Sequence, residues 1–111
     1  MIAEKEYHKA IDDLNKARRI NHHNAWIYYN IAYVYFKEQE YIPANENILR
    51  ALKIEPDYPE ALTMKAIISI ERSDYSAALI YLNKALEINP SYSEAYYNRG
   101  LVYNKLNKIP E

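Results

Sequence analysis

Apolar residues recur every three or four positions through most of the chain, with charged and amide residues between them. In Tyr41 to Ile54 the apolar set is Tyr41, Ala44, Ile48, Ala51, Leu52 and Ile54, a spacing that lays one stripe along a helix. Tyr75 to Ile88 repeats it. Three further segments, beginning at Ala25, Pro59 and Ser93, are also helical in period but richer in aromatic residues. Asp57-Tyr58-Pro59-Glu60 and Ser91-Tyr92-Ser93-Glu94 read as capping boxes that open two of these helices. Pro56 and Pro90 close the helices before them. The spacing predicts six helices over roughly 3–20, 25–38, 41–54, 59–72, 75–88 and 93–106. They are of two alternating types, joined by short turns.

The helices also repeat as a set. Shifting the chain by 34 residues brings Tyr7, Tyr41 and Tyr75 into register, and with them Ala10, Ala44 and Ala78. Leu14, Ile48 and Leu82 coincide next, followed by Ala17, Ala51 and Ala85, then Ile20, Ile54 and Ile88. Pro56 matches Pro90, and Tyr58 matches Tyr92. Small and bulky residues at fixed offsets allow successive copies of a unit to share one core.

Counted from Ala25, Pro59 and Ser93, the pattern resembles that of the tetratricopeptide repeat (TPR) family over the whole chain. The fourth position holds Tyr28, Leu62 and Tyr96, and the small eighth position holds Ala32, Ala66 and Gly100. Tyr35 and Tyr103 stand at the eleventh, where Ser69 departs, and His22 replaces the first of the three late prolines. Lys65 and Arg99 occupy the seventh, where the family buries an aliphatic residue. The resemblance implies an all-α, right-handed superhelical solenoid of antiparallel helix pairs, one TPR domain over residues 1–111. Residues 1–24 are then the second helix of a partial repeat, 25–58 and 59–92 are full repeats, and 93–111 is the first helix of another, or a solvating helix. A segment cut from a longer array gives the same register.

The resemblance further implies a concave groove lined by the first helix of each repeat. The first set is Trp26, Tyr29, Asn30, Tyr33, Phe36 and Lys37. The second set includes Thr63, Met64 and Ile67, and the third Tyr97, Asn98 and Leu101. Such a contiguous apolar surface fits a peptide or partner segment with apolar anchors, with asparagine amides setting its direction. Some family members clamp acidic C-termini with Lys, Asn and Arg. Here those places hold Tyr29, Tyr33, Glu60 and Glu94, with only asparagines surviving, so that clamp is absent. Trp26 stands where the sister repeats carry Glu60 and Glu94. It is either a groove residue or a cover for the end of the first helix near Ile20. The alternative function is a spacer or self-assembling segment of a larger or engineered scaffold.

Composition narrows the remaining classes. A net charge of -1 gives no electrostatic case for nucleic acid or an anionic membrane. The chain has no cysteine, hence no thiolate metal site, and its single glycine excludes a Gly-rich phosphate loop. His22 and His23 are adjacent in a loop, where side chains diverge, so no metal or cofactor is expected. Its 13 tyrosines are poor bases without a partner to shift them, and no enzyme is expected. Met1 to Glu6 carries no apolar signal core, and no run of 18 apolar residues exists, which makes a cytoplasmic protein the expectation. The first and last helices each lack a pair-mate, so weak head-to-tail self-association is expected.

Overall fold

The computed structural model describes residues 4–107, all six elements being α-helices. They fall into two compact units, residues 1–56 and 57–111. The first holds α1 (Glu4–Ile20), α2 (Ala25–Lys37) and α3 (Tyr41–Ile54). The second holds α4 (Pro59–Glu71), α5 (Tyr75–Ile88) and α6 (Ser93–Asn107).

In the first unit α2 packs on α3 and α1 packs on α2. Tyr7 and Ile11 of α1 meet Ile31 and Val34 of α2, with Ala10, Leu14, Ile27 and Tyr35 packed around them. In α3 the alanines and the isoleucine of the repeated register, Ala44, Ile48 and Ala51, are fully buried. The second unit packs α4 on α5 and α5 on α6, with α4 also touching α6. Ala66, Ala78, Leu82, Ala85 and Val102 are fully buried there. The small residues let backbones approach closely, and the larger ones fill the space between.

The turns after α2 and α4 are the same device built twice. Gln39 and Ser73 adopt left-handed φ of 59 and 60°. The Gln39 N–H donates to Phe36 O, and the Glu40 N–H to Tyr35 O, both at 2.9 Å. Ser73 and Asp74 donate likewise to Ile70 O and Ser69 O at 2.9 and 2.8 Å. These paired bonds are the Schellman motif, in which glycine is the usual left-handed residue. Entry into it ends α2 and α4 one residue before the expected 38 and 72, because Glu38 and Arg72 have already left helical geometry.

The helices from α2 onward begin where expected, but the caps differ. Neither capping box forms. Pro59 takes the first helical position, Tyr58 becomes the N-cap without a side-chain bond, and Glu60 sits one place too early to reach back. α6 likewise begins at Ser93, and the Glu94 carboxylate accepts instead from the Tyr92 hydroxyl at 3.0 Å. The working caps are Asn24, whose Oδ1 accepts from Trp26 N–H at 2.9 Å, and Asp74, which accepts from Ala77 N–H at 3.2 Å. The Ile20, Ile54 and Ile88 series, in register by sequence, is exposed at the helix ends and outside the core.

Candidate functional site

The Asn24 cap sets the first turn of α2 and with it the place of Trp26, which is 64% exposed. Ile20 is 86% exposed, so the indole does not cover it, and that reading of Trp26 falls away. Positions three, four and seven residues beyond Trp26 lie on the same side of the helix. Tyr29 is half-buried, and Tyr33 is 41% exposed with its ring centroid 6.5 Å from that of Tyr29. Lys37 is exposed and brings Nζ to 5.2 Å from the Tyr33 ring centroid, a cation over an aromatic face. Phe36 turns toward α3, where its ring meets Tyr41 at 5.6 Å, which leaves it half-buried. Asn30 donates its amide to Trp26 O at 2.8 Å.

In the second unit the expected site residues divide. Tyr97 and Leu101 are exposed, one turn apart on α6, and Ile67 is half-buried on α4. Met64 is only 5% exposed and Asn98 is buried too, so neither presents the open surface expected of it. The cause in α4 is visible in its burial. Ala61, Leu62, Thr63 and Met64 are buried in succession, more than a full turn, between exposed Glu60 and half-buried Lys65. Among the described residues Thr63 Oγ1 is a buried side-chain oxygen without a hydrogen-bond partner. Asn98 spends its amide on Glu94 O at 2.9 Å, as Asn30 does on Trp26 O. The idea that these amides orient a peptide therefore loses a donor at each place.

The two cations at the seventh position settle in different ways. Burial, then the nearby Arg72, holds the Lys65 ammonium below the ordinary lysine value, and its Nζ lies 5.6 Å from the Tyr81 ring centroid. Arg99 donates to Asn83 Oδ1 at 2.9 Å and lies over the Tyr96 ring at 5.3 Å. In the first unit the strongest perturbation belongs to Tyr7. Burial, then the Glu40 carboxylate accepting its hydroxyl proton at 2.6 Å, pushes it well above the ordinary tyrosine value.

A cavity of about 520 Å³ in the first unit is lined by His22, His23, Tyr28, Arg50, Lys53 and Ile54. The two imidazoles are tilted against each other at 4.7 Å, and Tyr28 holds their loop by donating to His22 O at 3.1 Å. Among the described residues no three His, Cys, Asp or Glu side chains gather as a metal site. No described helix is long and apolar enough to cross a membrane. Sequence reasoning missed Ile42 and Leu49, exposed seven residues apart on α3, and Ile80, exposed on α5. Their signal was available, since none of them stands at a repeated small or bulky position.

Two family descriptions match by sequence, a TPR repeat over residues 2–39 and 68–107 and a tetratricopeptide repeat over residues 27–58. The chain is a tetratricopeptide repeat protein. Solved TPR structures agree on the fold. The first TPR of Spaghetti (RPAP3), bound to the HSP90 peptide SRMEEVD, superposes with a TM-score of 0.87 at 20% identity, over 95% of this chain and 83% of that one. The Arabidopsis OM64 TPR domain gives 0.82 at 21% identity, over 90% of this chain and 83% of its own. MamA gives 0.81 at 23% identity, over 91% of this chain and 55% of that longer one. No curated protein matches the TPR chain by sequence. At such identities the likeness fixes the fold and says nothing of the ligand.

Proposed function

We propose that this TPR chain is a protein-interaction module that takes up a peptide or partner segment by its apolar side chains. Its principal contact surface is the face of α2 bearing Trp26, Tyr29, Tyr33 and Lys37. The observation that carries this is the exposure of Trp26 and Tyr33 on one side of a single helix. Large aromatic rings left in water on one stripe offer contact area at little entropic cost, as binding hot spots do. Phe36 and Asn30 flank that stripe, and in the second unit Ile67, Tyr97 and Leu101 hold the corresponding register. Met64 and Asn98 support the helices from beneath.

The specificity differs from that of the peptide-bound RPAP3 domain above. Glu60 and Glu94 are exposed in the first turns of α4 and α6, where a carboxylate clamp needs cations. Like charges facing each other disfavour an acidic tail. Calorimetry with the synthetic peptide SRMEEVD is expected to show no binding above background, and a low-micromolar Kd overturns this specificity.

The anchor reading is tested with a peptide selected against the chain from a random display library. Trp26 is the only tryptophan, so its fluorescence reports on this face. Binding is expected to shift that emission. Tyr33→Ala is expected to weaken affinity by about 1–2 kcal/mol with the helical signal unchanged. A selected peptide that leaves Trp26 unperturbed and tolerates Tyr33→Ala places the contact elsewhere.

A further inference from the structure

The cavity of the first unit is set apart from the α2 face by its charge. His22, His23, Arg50 and Lys53 line its 520 Å³ or so together with Tyr28 and Ile54, and no described carboxylate is among the lining residues. A chain with a net charge of -1 thus gathers two cations and two imidazoles around one opening. Its volume falls within the roughly 300–1,000 Å³ of small-ligand sites. All four of these side chains are exposed, whereas Tyr28 is buried. Among the described residues, neither Arg50 nor Lys53 spends its side chain on an ion pair or a hydrogen bond.

The fold does not call for this charge. The loop between α1 and α2 is held by Tyr28, whose hydroxyl donates to His22 O at 3.1 Å, and by Asn21, whose Oδ1 accepts from the His23 N–H at 3.3 Å. The loop between α5 and α6 is held by the same two bonds, from Tyr96 to Pro90 O at 2.9 Å and from the Ser91 N–H to Asn89 Oδ1 at 3.1 Å. Proline and serine stand there in place of the imidazoles, so neither histidine is needed to shape the loop. One period along from the four cavity residues, the chain holds Pro56, Asp57, Lys84 and Glu87, two acids against one base. Lys53 lies in the last turn of α3, where a cation also suits the helix end. The matching last turn of α5 carries Glu87 and no base.

We propose that this cavity binds a phosphate monoester carried on a small organic group. Such a group brings close to two negative charges and three terminal oxygens. That matches two cations and two N–H-bearing rings better than the single charge of a carboxylate does. Arg50 supplies a planar fork for two of the oxygens, and Lys53 a mobile ammonium. His22 and His23, with ring centroids 4.7 Å apart, donate from the fixed loop. Tyr28 and Ile54 offer apolar surface to the organic part. The site goes beyond the peptide contact proposed on α2 and shares no residue with it. The phosphate arrives either on a free small molecule or on a phosphorylated side chain of a partner, and two probes separate these sources.

Phenyl phosphate and a short tyrosine-phosphorylated peptide are titrated into the full chain near neutral pH and followed by NMR, with inorganic phosphate and benzoate for comparison. Saturable shifts at His22, His23, Arg50 and Lys53 are expected, with inorganic phosphate and benzoate both weaker than phenyl phosphate. Arg50→Gln combined with Lys53→Gln is expected to weaken phenyl phosphate by about tenfold or more, as loss of bonds to a charged group does. Both residues are exposed, so the helical signal stays unchanged. Lys84→Gln, the same kind of change at the matching exposed position of α5, is expected to leave the affinity unaltered. A peptide that binds more tightly than phenyl phosphate assigns the site to a phosphorylated side chain, and one that binds no better assigns it to a small molecule. Equal affinity for benzoate or inorganic phosphate overturns the proposal, as does an equal loss in Lys84→Gln. So do shifts spread over the other cations of the chain, or no saturation up to millimolar concentration.

Discussion

Replacing Tyr7 by Phe removes one hydroxyl and leaves the packing of α1 in place. The ring is buried, with an edge contact to Tyr35 at a centroid distance of 6.1 Å, and phenylalanine keeps both. What goes is the 2.6 Å hydrogen bond to Glu40, which ties α1 to the start of α3. A bond to a charged acceptor contributes about 1.5–3 kcal/mol in a protected setting. Glu40 is exposed, however, so the released carboxylate is hydrated again, and the expected loss is roughly 1 kcal/mol. For a chain of this size that lowers Tm by about 3–6 °C. The sign of the pH dependence follows from the direction of the Tyr7 shift. Its hydroxyl loses its proton in the unfolded chain near pH 10 but keeps it to higher pH when folded. The stabilisation is therefore complete below about pH 10 and falls as pH rises above it. Phenylalanine has no such dependence. Thermal unfolding followed by circular dichroism at pH 7 and at pH 11 gives both differences. The Tyr7→Phe deficit is expected to be present at pH 7 and to shrink or reverse at pH 11. An unchanged Tm at pH 7, or a deficit equal at both values, refutes the reasoning.

Two further outcomes follow from the packing and the turns. Ala44→Leu and Ala78→Leu each force three extra carbons into a fully buried site and should cost about 1–3 kcal/mol in urea unfolding. Wild-type stability in both variants would count against the repeat register. Gln39→Gly and Ser73→Gly should each raise stability by about 0.5–1 kcal/mol, because glycine adopts the left-handed conformation without a Cβ clash. A lower Tm for both would show that the side chains contribute more than the backbone conformation costs.

The fold was legible because its signals are periodic and mutually consistent. Starts and ends of α3 and α5 matched the sequence expectation, since apolar spacing and breakers agree there. The caps were not legible. What distinguishes an N-cap at Asp57 from one at Tyr58 is Pro59, whose ring disfavours helical dihedrals at the residue before it, so Tyr58 stays extended and becomes the cap. At the candidate site, Trp26, Tyr29 and Tyr33 could be placed on one face by spacing alone. The depth of Met64 and Asn98 could not. A register position names the side of a helix and not its depth: Asn30, Met64 and Asn98 share one position, yet Asn30 is half-buried while the other two are buried.

Four polar residues share a habit that bears on how this protein could change. Asn30, Asn47, Ser69 and Asn98 each donate to the carbonyl four residues earlier in their own helix. Two of the bonds that cross between helices, Tyr7 to Glu40 and Arg99 to Asn83, reach partners in solvent. Polar groups that close on their own helix make no demand on a neighbour, so they carry no information about which helix must stand beside which. Around these residues the helices meet through small and large side chains, repeated at Ala44, Ile48 and Ala51 and at Ala78, Leu82 and Ala85. Duplicating or exchanging a whole unit would then carry these four bonds along intact, because each is closed within its own helix.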